Sequence, residues 1–471
     1  LASHDSAGAS PAVTVSYRTI AQAAIGTHSH AQLIRARMFH RTPTQPCPRL
    51  TVIFCVESTM MTDASHPPRR ILDVKHTLIG PLEPRTRTVQ ARKPADYPRV
   101  PKAHLDVARR LSNPAIMGPP LCDEMIALVQ HVFTEEEAGV VRCLRTLRGK
   151  TAEQVARAAR RPLDEARRIL DGLSEKKRAI AGSGPDDRRL YRMAPLVPGM
   201  FEMILIGERI ENLSPWHRRF AELFQALYET GYLADYRSSA PMARVLPVHQ
   251  AADLQPAAIP TGQLEAILDR FEAFGIGQCQ CRTAMLAVGK GCDAPRGNCV
   301  AMGRWAEKGV DAGWLRPASR AEVLDVKLEA EAAGLVNWMM NIESTRGQAS
   351  CSCCRCCCYA LRAVSQFNVP GLFAPPHFMP RFDYAKCTYC GRCAKQCPTA
   401  AIVVDPRAKT HELLAERCIG CGLCAAACNV PGAVSMTPVP QPPRPYRSWL
   451  SFAAGTAPGI VRNVWNAWRT R

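Results

Sequence analysis

Near its C-terminus the chain carries one cysteine spacing twice. Cys387, Cys390, Cys393 and Cys397, with Pro398 behind them, read C-x2-C-x2-C-x3-C-P, and Cys418, Cys421, Cys424 and Cys428 repeat the spacing. Three thiolates two residues apart can wrap a tight loop around three irons of a cuboidal cluster. The fourth, set back at the start of a helix, reaches the cluster held by the other half. The expected ligand sets are therefore crossed, with Cys387, Cys390, Cys393 and Cys428 on one [4Fe–4S] cluster and Cys418, Cys421, Cys424 and Cys397 on the other. Eight cysteines do not fall on this spacing twice by chance, so the segment is expected to bind metal and carry electrons.

Ten more cysteines lie upstream. Cys279, Cys281, Cys292 and Cys299 form C-x-C-x10-C-x6-C, while Cys351, Cys353, Cys354, Cys356, Cys357 and Cys358 pack six cysteines into eight residues. Core packing does not favour such a run and free vicinal thiols invite oxidation, so metal binding accounts for them better than redox-active or incidental thiols. Four thiolates suit zinc as well as an iron–sulfur cluster. A further cluster is the first choice, because it would extend an electron path; a structural zinc is the alternative. Adjacent side chains diverge, so Cys356, Cys357 and Cys358 are not expected to serve one site together. Each should share a site with the first set or stay unligated.

The 471 residues allow two to four domains, and 47% apolar with 21% charged residues describes an ordinary soluble protein. No apolar run approaches a membrane span, and secretion is not expected. Twenty-two cysteines on metal-ligand spacings point to a reducing cytoplasm rather than to disulfides. The formal charge of +19 overstates the basicity of a cluster-loaded protein, yet what remains can steer acidic redox partners, nucleic acid or anionic lipid. No dinucleotide fingerprint, phosphate loop, acid–base pair or nucleophile is evident.

The expected class is α+β in several domains. Residues 1–100 read as a disordered or irregular extension, with Met61 a more plausible start than Leu1. Residues 101–194 read as three helices and a two-stranded wing. Thr134 with Glu137, and Thr151 with Gln154, box the first two helices, and Pro162 opens the third. Their inner faces are Ala138, Val141, Leu144 and Leu147; then Val155, Ala156 and Ala159; then Leu163, Ala166, Ile169, Leu170 and Leu173. This order resembles winged helix–turn–helix domains, which implies DNA binding through the third helix. Here that helix would show Asp164, Glu165, Arg167, Arg168 and Asp171, a mixed-sign face poorly suited to phosphates, so a packing module is favoured.

Residues 195–375 read as a mainly helical cysteine-rich domain, with helices at Trp216–Thr230 and Thr261–Phe274. A further helix is boxed by Ser319 and Glu322, with Leu324, Leu328 and Leu335 inward. Residues 438–471 are a proline-rich linker and a basic, aromatic tail. Pro458 and Gly459 should keep any tail helix short, and the tail either docks on protein or lies on a membrane surface.

Residues 381–437 closely resemble bacterial-type dicluster ferredoxins, and the wider arrangement is similar to multidomain 4Fe–4S proteins with a winged-helix-like segment. The resemblance implies a pseudo-twofold β-α-β domain over 376–437. Its strands would lie at Phe382–Ala385, Ala401–Asp405 and Ala433–Thr437, with Gly391, Gly420 and Gly422 in the cluster loops. Ile402, Val403, Val404, Ile419 and Leu423 would exclude water. It implies two [4Fe–4S] clusters and single-electron exchange with a partner oxidoreductase. Two other readings stay open: a redox-sensing DNA-binding regulator, and an oxidoreductase subunit whose catalytic metal centre lies among the upstream cysteines.

Overall fold

The structure, a computed structural model, describes residues 84–471 apart from 147, 237–240, 248–263, 345, 443 and 471. Residues up to 83, Leu147 and Thr261 thus lie outside the described residues. Helix α1 (Lys102–Leu111) buries His104, Val107, Ala108 and Leu111, the spacing of one helical face, and α2 (Asp123–Val132) packs beside it.

Helices α3 (Glu135–Val141) and α4 (Ala152–Ala159) start where their boxes place them. The Glu137 N–H donates to Thr134 Oγ1 at 3.2 Å, and the Thr134 N–H donates to Glu137 Oε2 at 2.8 Å. Thr151 and Gln154 exchange the same pair of bonds at 3.4 and 3.1 Å. Each box satisfies two backbone donors that would otherwise lack a partner, so Thr151→Ala should destabilise the fold by about 1 kcal/mol in denaturant unfolding.

Helix α5 (Leu163–Asp171) buries Ala166, Ile169 and Leu170, but Leu163 is exposed, contrary to expectation. It sits at the first helical position, where the turn still points away from the core. Strands β1 (Ile180–Ser183) and β2 (Leu190–Met193) then pair antiparallel, Ile180 opposite Met193. The charges on α5 meet neighbours: Arg167 pairs with Glu153 at 2.7 Å, Arg168 with Glu136 at 3.3 Å, and Asp171 accepts the Tyr191 hydroxyl at 2.5 Å.

The middle of the chain corrects the expectation of a mainly helical domain. After α6 (Phe201–Leu205) and α7 (Pro215–Glu229), it builds a six-stranded antiparallel sheet. In chain order the elements are β3 (Ala243–Val245), α8 (Leu264–Leu268), β4 (Phe274–Gly277), α9 (Gln280–Ala287), β5 (Cys299–Gly303), α10 (Arg304–Asp311), β6 (Arg316–Ala318), α11 (Arg320–Ala332), β7 (Val336–Met340) and β8 (Gly347–Cys353). The strand order is β3-β7-β8-β5-β4-β6. Phe274, expected to end a helix, instead begins β4. Strands β4 and β5 are buried on both faces, which removes the alternation that betrays a half-buried strand.

Ser319 caps α11, but the buried face is Val323, Lys327 and Ala330, not Leu324 and Leu328. Helix α12 (Tyr359–Phe367) follows the dense cysteine run and is pinned by the Tyr228 hydroxyl on the Tyr359 carbonyl at 3.1 Å. The Arg362 guanidinium lies 4.7 Å from the Tyr228 ring centre.

In the C-terminal segment β9 (Phe378–Phe382) pairs with β12 (Val434–Pro438), and β10 (Ile402–Asp405) pairs with β11 (Thr410–Leu413). Helices α13 (Arg392–Gln396) and α14 (Leu423–Ala426) lie between the members of each half. The first strand thus ends at Phe382 rather than starting there, because Asp383 turns the chain into the cysteine loop. One hydrophobic core runs from Val107 through Phe201 and Cys357 to Val404.

The tail forms a single helix, α15 (Trp449–Thr470), across Pro458, not a short one. Pro458 and Ala454, whose carbonyl loses its partner, are both exposed, so water can satisfy the freed group. The helix packs on the turns Pro114–Ile116 and Tyr232–Tyr236. Among the described residues no helix is long and apolar enough to cross a membrane.

Candidate metal centres

The eight C-terminal cysteines line two cavities. One is lined by Cys387, Cys390, Cys393 and Cys428, and the other by Cys397, Cys418, Cys421 and Cys424. Each takes three cysteines from one loop and the fourth from the other half. Gly391 and Gly422 start α13 and α14 with φ of 71° and 80°. Gly420 has a φ of 66°, and a Cβ there would stand 2.4 Å from the Phe378 carbonyl oxygen, so no side chain fits this loop.

Backbone donors reach the sulfurs: Ala401 N–H to Cys397 at 3.2 Å and Tyr389 N–H to Cys387 at 3.4 Å. Val404 faces the first cavity, and Ile402 and Ile419 face the second. Leu423 is buried nearby, whereas Val403 points away, as strand alternation requires. His411 was not singled out by sequence, yet it lines the first cavity with Nε2 3.5 Å from the Cys393 sulfur. Burial raises the Cys393 and Cys418 thiols to about 11, so these sulfurs hold a proton until a metal replaces it.

The upstream cysteines divide into two groups. Cys292, Cys354, Cys356 and Cys357 bring their sulfurs within 4.8 Å of one another. The Cys292–Cys354 separation is 3.6 Å, and Cys292–Cys357 and Cys356–Cys357 are each 3.7 Å. Four sulfurs at a zinc–thiolate bond length of about 2.3 Å from one ion stand about 3.8 Å apart, so these three separations match edges of a single-ion tetrahedron. A cuboidal cluster would push its thiolates much farther apart, since its irons stand between them.

Adjacent Cys356 and Cys357 thus lie side by side with Cys292, while Cys358, the third of the run, is not in the group. The chain turns tightly over residues 355–357, which brings exposed Cys356 beside buried Cys357, while Cys358 departs with α12. Arg355, inside the same turn, donates to the Lys395 carbonyl on α13, so this site leans on the C-terminal segment.

Cys279, Cys281, Cys299, Cys351, Cys353 and Cys358 lie elsewhere. Strand alternation puts Cys351 and Cys353 on one face of β8, Cys299 opens β5, and Cys279 and Cys358 precede the first turns of α9 and α12. Glu202 on α6 faces Cys351 and Cys358, and burial raises its carboxyl to about 7. A carboxyl moved from 4.5 to about 7 binds more protons folded than unfolded between those values, so stability falls as pH rises through that window. Glu202→Gln should remove a slope of at most about 3 kcal/mol, read from unfolding at pH 5 and pH 8.

Residues 381–436 match the 4Fe-4S dicluster domain family. No curated protein and no solved structure matches the chain. A ferredoxin-type 4Fe–4S domain therefore lies near the C-terminus, and the chain combines it with a cysteine cluster suited to metal.

Proposed function

We propose that the chain passes single electrons through two [4Fe–4S] clusters, between a low-potential donor and a partner oxidoreductase, and that Cys292, Cys354, Cys356 and Cys357 hold one structural zinc ion. The observation that carries this reading is the pair of cavities, each lined by four cysteines drawn from both halves of the repeat. A bound cluster accepts and releases one electron at a time. The chain's own contribution is to hold the irons through the crossed cysteines, to exclude water with Ile402, Val404, Ile419 and Met436, and to aim N–H groups at the sulfurs.

The four-thiolate set leaves no open coordination position, which favours a structural ion over a catalytic one. The three-helix and hairpin segment is best read as a packing module, since Arg167, Arg168 and Asp171 meet partners within it. The free thiols of all described cysteines suit a cytoplasmic protein. Exposed Leu450 and Val461 on α15 leave a face for a partner or an anionic membrane surface.

The test uses full-length protein purified without oxygen. Cys390→Ser with Cys421→Ser should remove about eight irons and the reversible reduction of both clusters seen by electron paramagnetic resonance. Unchanged iron and electron uptake would sink the reading.

A further inference from the structure

Two buried cations in the central domain have no anion. Lys327 and Arg282 are both fully buried. The Lys327 ammonium donates to the Asn298 carbonyl at 3.3 Å, the Ser350 carbonyl at 3.0 Å and Ser352 Oγ at 3.0 Å. Arg282 donates to Asn298 Oδ1 at 2.6 Å and to the Ser352 carbonyl at 3.0 Å, while its Nε and Nη1 find no acceptor. All these acceptors are neutral, and no carboxylate pairs with either cation among the described residues. Burying an uncompensated charge costs several kcal/mol, so such a pair marks a place where negative charge belongs.

The groups facing them are thiols. Cys351, Cys299, Cys353 and Cys279 lie near enough to Lys327 to interact with its charge, as Cys279, Cys354 and Cys353 do with Arg282. Five sulfurs neighbour one another in a chain, Cys299 beside Cys351, then Cys353, Cys358 and Cys281, and the first three of them lie near Lys327. Neutral donors also aim at them, Trp338 Nε1 at Cys353 from 3.0 Å and Gln280 Nε2 at Cys299 from 3.4 Å. Cys279 and Cys358 stand at the N-termini of α9 and α12, where backbone N–H groups favour anions. These donors point towards negative charge on the sulfurs.

We propose that Cys281, Cys299, Cys351, Cys353 and Cys358 provide the ligands of a third iron–sulfur cluster, with Lys327 and Arg282 as its counter-charges. Five sulfurs exceed the four corners of a single ion. They run as a chain rather than meeting at a point, unlike the compact Cys292 set. A cluster spreads its attachment points, and its net negative charge answers the two cations. The same strand run that ends at Cys353 leads directly into Cys354 and Arg355, whose guanidinium touches Lys395 beside the C-terminal clusters. The third cluster would extend the electron path proposed above, but its existence does not depend on that reading.

The experiment counts iron, acid-labile sulfide and zinc in full-length protein purified anaerobically, and repeats the count in the Cys390→Ser, Cys421→Ser variant. About twelve irons in the unmodified chain and about four in the variant are expected, with about one zinc in both. Adding Cys351→Ser and Cys358→Ser should remove the last irons and leave the zinc. About eight irons in the unmodified chain with none in the variant would overturn the proposal, as would residual iron indifferent to Cys351 and Cys358. Fewer than eight irons in the unmodified chain with four retained in the variant would instead count against the C-terminal reading alone. Lys327→Met tests the counter-charge without touching a ligand. Removing a cation beside the centre should lower its reduction potential, and an unchanged potential would overturn the role given to Lys327.

Discussion

Replacing Cys397 by serine should release iron from the cavity bounded by Cys418, Cys421 and Cys424, not from the loop in which Cys397 lies. The single variant should lose about four of the irons bound by the two C-terminal cavities. Paired with Cys421→Ser, the loss should stay at about four, because both side chains serve one cluster. Paired with Cys390→Ser, it should double to about eight, because two clusters are then each missing a ligand. Ligation within each motif predicts the reverse, four with Cys390→Ser and eight with Cys421→Ser. Iron and sulfide counts on the three proteins separate the two schemes without assigning any spectrum. The crossed outcome follows from the cavity linings, where Cys397 joins the second loop and Cys428 the first.

What the sequence made legible was whatever a local pattern encodes. Thr134–Glu137 and Thr151–Gln154 announced their helices because a capping box needs only four consecutive residues. The doubled cysteine spacing announced its segment because each loop supplies three sulfurs within seven residues. The central sheet stayed hidden because its strands break the usual signals. Strand β8 reads Gly-Gln-Ala-Ser-Cys-Ser-Cys, with little β-branched or aromatic content, and β5 is buried on both faces.

The central site was half legible. The need for metal was visible in the cysteine count, but the division of ten sulfurs between two places required knowing that a turn folds Cys356 and Cys357 together. Nothing local flagged Lys327 either. On α11 it stands among Asp325, Glu329 and Glu331 and reads as one more solvated charge, yet the sheet covers it completely. Proline misled in the opposite direction, since the helix continues across Pro458, where the carbonyl of exposed Ala454 can reach water.

Cys292→Ser should be the most destabilising single change at the central tetrathiolate, although Cys292 is only half-buried. Its partners Cys354, Cys356 and Cys357 come from one turn, so the ion they share ties that turn to the loop between α9 and β5. Cys292 and Cys354 are 62 residues apart in sequence. A cross-link closing a loop of that length is worth about 4 kcal/mol in chain entropy. Serine is close in size to cysteine and can meet water at this position, so lost packing contributes little. The variant should lose its zinc and unfold at lower denaturant by about that free energy, while the iron content of the C-terminal cavities stays unchanged.

A strong zinc chelator should bring the unmodified protein down towards the variant and leave the variant where it is, because binding to the folded state alone is stability. Cys143→Ser supplies the control. It is also a half-buried free thiol, but its sulfur approaches the Gly139 carbonyl at 4.0 Å and belongs to no group of sulfurs among the described residues, so the change should alter neither metal nor midpoint. If Cys292→Ser keeps its zinc, or if the chelator destabilises variant and unmodified protein alike, the ion does not join these two segments. The 3.6 and 3.7 Å separations would then describe packed thiols rather than the edges of a metal site.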